Sequence, residues 1–180
     1  RLKPMHLIRM ASLLIFLLVW SVTMRAAADL NDLKAGVVKI MANPLEGSRK
    51  VGTGIIIRIE PEVIYIITAA HVVSGDAQPQ IEFFTKRNLP VIGSVLPGAE
   101  TEDDLRGVAL IVVRGKDTIP QGLQALPLAD QGQHVAGGEA LTLIGHPGGA
   151  GAWAVLKRTV ASRVGRDVTF DPDVPSKFSG

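Results

Sequence analysis

The stretch GIIIRIEPEVIYIITAAHVV, residues 54–73, decides how this chain is read. Branched apolar residues run from Ile55 to Ile59 and again from Val63 to Thr68, with Glu60-Pro61-Glu62 between them. Each run is short and β-branched, and the break carries a proline, so the pair reads as two strands joined by a tight turn. His71 closes the second run behind two alanines. A titratable ring at the end of an apolar strand has two readings. It is a histidine satisfied by backbone, or a general base held on a rigid element.

The same signals recur on both sides. Residues 36–41, 81–84, 89–96 and 108–113 read as strands, and so do 141–144, 153–162 and 167–170. Gly and Pro punctuate between them, no internal repeat stands out, and residues 29–180 show no convincing amphipathic helix. Many short strands with regular turns predict an all-β sandwich or pair of barrels. The looser stretch 115–122, with Pro120, reads as a link between subdomains 29–114 and 123–180.

Residues 1–28 read as a secretory signal. Arg1, Lys3, His6 and Arg9 make a basic start, residues 11–22 are apolar and uncharged, and Ala26-Ala27-Ala28 is the kind of small-residue site that precedes cleavage. The apolar run is shorter than the ~20 residues that a spanning helix needs. The expected location is therefore secreted or periplasmic, with membrane attachment only if the segment is retained. Four of the 19 Lys and Arg lie in residues 1–28 and none of the 17 Asp and Glu does, so residues 29–180 carry a net charge of −2. The basic pI belongs largely to the leader, and no basic patch for nucleic acid remains. There are no cysteines, so an exported domain of this kind must be held by its core.

Three pieces then fall in order: TAAHVV at 68–73, EDDLRGVALIVV at 102–113 and KFSG at 177–180. With VGTGIII at 51–57, LIGHPGG at 143–149 and TVASR at 159–163, they resemble the trypsin-like serine peptidases, most closely the cysteine-free HtrA/Deg-type bacterial branch. The resemblance covers roughly residues 36–180. It implies two six-stranded β-barrels with a site in the cleft between them, the second barrel incomplete in this chain, which reads as a piece of a longer product ending just after the nucleophile motif. It implies His71 as general base, Ser179 as nucleophile and a carboxylate that orients the imidazole; Asp104 is the candidate acid, and the alternatives are Asp103 or no acid at all, which leaves a Ser–His dyad. The backbone N–H groups of Lys177 and Ser179 would form the oxyanion hole. The chemistry requires such a set, because a serine hydroxyl barely ionises at neutral pH and needs an adjacent base. The implied substrates are polypeptides, and no cofactor or metal is implied.

Two positions depart from the family pattern. Gly107 stands where the acid usually begins the strand GVALI, and Lys177 stands where the family has glycine. A misplaced oxyanion donor costs roughly 10²–10³ in rate. These departures support a second reading, a catalytically impaired peptidase that binds peptides. Other motifs carry less. His134 and His146 lack metal-ligand spacing and read as surface or turn residues, the Gly52/Gly54 pair reads as no motif, and Trp153 and the phenylalanines read as core.

Overall fold

The structure, a computed structural model, describes residues 29–97, 107–130, 132–147, 151–165 and 167–175. It is all-β, apart from two short helices that the strand pattern does not announce: α1 (Leu30–Ala35) and α2 (Ala70–Val73). Ten strands are described: β1 (Val37–Ala42), β2 (Lys50–Glu60), β3 (Val63–Ala69), β4 (Gln80–Phe83), β5 (Lys86–Ile92), β6 (Ser94–Val95), β7 (Val108–Arg114), β8 (Ala140–Gly145), β9 (Ala154–Val164) and β10 (Asp167–Asp171). None of the described helices is long and apolar enough to cross a membrane.

The quoted stretch is the hairpin expected of it. β2 and β3 pair antiparallel from Gly54↔Thr68 to Glu60↔Val63, so Pro61 and Glu62 form a two-residue turn, and a bulge between Ile56 and Arg58 bends β2. The first sheet runs β5-β4-β1-β2-β3-β7-β6. Its two ends are one piece of chain: β5 passes into β6 through Gly93, and Gly93 N–H and Val95 N–H donate to Pro79 O and Ala77 O, both at 2.9 Å. The sheet therefore closes on itself as a six-stranded barrel. Glycine is required at that corner, because a Cβ on Gly93 would stand 2.6 Å from Ile111 Cγ2 and 3.0 Å from Ile81 Cγ1.

Closure fixes the inside. On β3 the alternate residues Ile64, Ile66 and Thr68 point inward, while Val63, Tyr65, Ile67 and Ala69 face outward. Val38, Ile40, Ile56, Ile64, Ile66, Ile81, Phe83, Ala109, Ile111 and Val113 fill the barrel, and Val72 and Val73 of α2 join this cluster. The buried hydroxyl of Thr68 donates to Thr53 O at 2.8 Å.

The second sheet has three described strands in the order β10-β9-β8, all antiparallel. It meets the barrel through residues flanking β8 and β9. The Trp153 indole N–H donates to Val37 O at 2.7 Å, and Trp153 is buried, as expected of a core residue. It sits edge-on to Phe84 with ring centroids 5.6 Å apart. The Arg87 guanidinium lies 4.5 Å from the Phe84 ring centre and 5.1 Å from that of Trp153.

Candidate active site

His71 does not end the strand, as the sequence suggests. β3 stops at Ala69, and His71 is the second residue of the single-turn helix α2. Four residues barely nucleate a helix in water, so α2 is held from outside. Val72 and Val73 are 4% and 1% exposed and anchor it to the barrel core. Gly52 makes room for it: a Cβ there would stand 2.6 Å from both Val72 γ-carbons. At the start of the turn no side chain caps the helix, and the Ala70 N–H instead donates to Gly107 O at 2.9 Å. At the end, Ser74 N–H donates to Ala70 O at 3.1 Å and Asp76 N–H to Val73 O at 2.9 Å. The Lys50 ammonium donates to His71 O at 3.0 Å and Ser74 O at 3.1 Å.

The imidazole that results is half-buried, with its Nδ1 closed off from solvent. Lys50, Val51, His71 and Val72 line a recess of about 320 Å³. Around the preceding residues runs an apolar groove of about 420 Å³, lined by Thr53, Ile55, Ile67, Thr68, Ala69, Gly107 and Val108. The arrangement is an imidazole on a braced turn, beside an apolar groove of a size that takes a ligand side chain. Gly107, the residue standing at the family's acid position, is hydrogen-bonded to the neighbour of His71. Asp103, Asp104, Lys177 and Ser179 lie outside the described residues. Among the described residues no group of His, Cys, Asp and Glu is arranged to hold a metal ion.

His146 is the second histidine of interest, and it is not the surface or turn residue that its spacing suggests. It follows β8 directly and is 3% exposed. Its backbone N–H donates to Thr53 Oγ1 at 3.0 Å, and its Nδ1 lies 3.3 Å from the same oxygen. The one hydroxyl thus meets both the backbone and the ring of His146, accepting the backbone N–H and sharing a hydrogen bond with Nδ1. Nε2 is buried without a hydrogen-bond partner among the described residues, and the ring stands edge-on to Trp153 with centroids 4.7 Å apart. Burial, with help from the Lys39 ammonium and against the pull of Glu82, lowers the His146 pKa from 6.5 to about 4. The ring is neutral at neutral pH and serves as a joint between barrel and second sheet. Lys39 and Glu82 form an ion pair at 3.3 Å. Burial works to raise the Glu82 pKa, but the Asn88 N–H and Lys39 outweigh it and hold it below the ordinary value.

The sequence does not announce the roles of three residues here. Lys50 and His146 act through partners 21 and 93 residues away, and no local pattern announces such pairs. Gly52 was visible as part of a glycine pair, but only the packing of Val72 shows its use.

A closed all-β barrel with a histidine on the turn after its third strand, packed against a second antiparallel sheet, defines the class as the trypsin-like fold. A family profile described as the trypsin-like peptidase domain matches residues 52–178, and the chain belongs to that family. Among curated proteins, the "Serine protease HtrA-like" proteins of Staphylococcus aureus strains USA300 and NCTC 8325 are 27% identical over 129 residues, which is 72% of this chain. The chain spans 16% of the length of those relatives. Among solved structures, the serine endoprotease from Yersinia pestis superposes with a TM-score of 0.54 at 18% identity, covering 77% of this chain and 46% of the other. The active form of the Rv3671c protease from M. tuberculosis superposes with a TM-score of 0.54 at 22% identity, covering 77% and 55%. These two likenesses concern the fold.

Proposed function

We propose that the chain carries the peptidase domain of an exported serine endopeptidase, with residues 1–28 as its secretory leader. His71 is the general base, Ser179 the nucleophile and Asp104 the acid that holds the imidazole. Ser179 attacks the peptide carbonyl as His71 takes its proton. The imidazolium then protonates the leaving amine, and the acyl-enzyme is hydrolysed by water through the same base. The N–H groups of Lys177 and Ser179 face the oxyanion.

The observation that carries this reading is the seat of His71: a base on a braced turn, with Nδ1 turned out of solvent, one residue from an amide bonded to Gly107. Asp104 stands three residues before Gly107 in the sequence. This supports Asp104 as the partner of Nδ1 even though Gly107 occupies the family's usual acid position. The test is labelling of the full-length protein with a fluorophosphonate probe, together with casein hydrolysis. Wild type is expected to label and to cleave, and Ser179→Ala and His71→Ala to do neither. Labelling that survives Ser179→Ala removes the nucleophile assignment. Peptide binding without labelling or cleavage in wild type means that the chain is a binding module on a peptidase fold.

A further inference from the structure

The role of α2 raises the question of what keeps so short a helix in register. Its N-terminus hangs on one backbone bond to Gly107, and its inner face rests on Gly52 and the core. Its C-terminus, where carbonyls outrun their helical partners, meets one cation. Lys50 is the first residue of β2, fixed in the ladder opposite Ala42. Its partly buried ammonium reaches across to His71 O and Ser74 O at 3.0 and 3.1 Å. A charged donor at a helix C-terminus is favoured by the carbonyl dipoles, and a charge-assisted bond is stronger than a neutral one. The same side chain lines the recess into which the His71 residue opens.

We propose that Lys50 is a positioning residue for the general base: it clamps the carbonyl of His71 to the end of β2 and fixes the direction in which the imidazole leaves the helix. The inference rests on the peptidase reading above. The hydrogen bonds of the Lys50 ammonium go to backbone carbonyls, so it acts through the backbone of His71. Without the clamp, the ring samples a wider arc and spends less time in line with the serine hydroxyl. Catalysis is steep in such misplacement, with about 10²-fold lost per ångström, so a loosened but folded turn is expected to lose about tenfold.

The test compares Lys50→Met, which keeps the stem and removes the donors, with Lys50→Arg, which restores a cation at similar reach. Both are made in the full-length protein. Turnover of a chromogenic ester is resolved into kcat and KM, and fluorophosphonate labelling is timed. Lys50→Met is expected to lower kcat and labelling rate about tenfold with KM unchanged, and Lys50→Arg to recover most of the loss. Amide hydrogen exchange at Ser74 and Asp76 is expected to speed up in Lys50→Met alone. An unchanged kcat in Lys50→Met overturns the proposal. So does an equal loss in both variants accompanied by a lower melting temperature, because that pattern marks a role in stability only. A wild type that neither labels nor turns over removes the peptidase reading, and the positioning role falls with it. Exchange at Ser74 and Asp76 then still reports whether the clamp exists as a structural bond.

Discussion

Acid should loosen this protein through His146, and the size of the effect follows from its surroundings. The folded state holds the ring with a pKa of about 4 against an ordinary 6.5. The unfolded chain therefore binds the proton more readily, and stability falls wherever it does so. The contribution is complete above pH 6.5 and is lost as pH falls toward 4. At about 1.4 kcal/mol per pH unit, the drop amounts to roughly 3 kcal/mol. For a chain of this size that corresponds to about 6–12 °C in melting temperature. The assay is a series of urea and thermal unfolding curves between pH 7.5 and 4.5, on wild type and on His146→Gln. Glutamine keeps a polar group near Thr53 but takes up no proton. Glu82, whose carboxyl is held below its ordinary 4.5, loses its own contribution only below that pH, so among the described residues the window belongs to His146. Wild type should lose most of the stated stability across it, and the variant should be nearly flat, with lower stability at pH 7.5 and a smaller gap at pH 4.5. Parallel curves would refute the reasoning, since they would show that the ring takes up a proton in the folded state at little cost.

Three further outcomes are expected. Gly52→Ala should push Val72 and with it α2, costing roughly 1–3 kcal/mol by overpacking and slowing fluorophosphonate labelling by more than the stability loss explains; urea unfolding and labelling kinetics on one preparation separate the two. Trp153→Phe removes the donor to Val37 O and leaves that carbonyl unsatisfied, for a loss of about 1–3 kcal/mol by urea unfolding; a neutral result would mean that water takes the place of the indole. Ile66→Ala empties the centre of the barrel, where Ile66 is fully buried, and should cost about 2–5 kcal/mol, visible as a lower unfolding midpoint at unchanged slope.

The strands were legible because their information is local. Alternation in residues 63–69 and the proline break at 61 are properties of neighbours in sequence, and β2 and β3 follow them closely. TAAHVV was legible as the end of a strand because the apolar run before it is a property of neighbours in sequence. The exact element was not, since a one-turn helix is held by Gly52, Lys50 and Gly107 rather than by its own residues. His146 was misread for the same reason. Polarity and a neighbouring proline suggest a surface turn, whereas its burial is set by Thr53 and Trp153. Barrel closure was likewise hidden, because nothing local to Gly93 says which strands will crowd it.

Thr53 gives two of these features a common mechanical element. Its carbonyl is gripped from inside the barrel by Thr68 and its hydroxyl from outside by His146, and its neighbour in the chain is the glycine on which Val72 rests. The strut that carries the His71 turn and the pin between the two sheets are thus consecutive residues of β2. A shift of the second sheet against the barrel therefore pulls on the same two residues that seat the His71 turn.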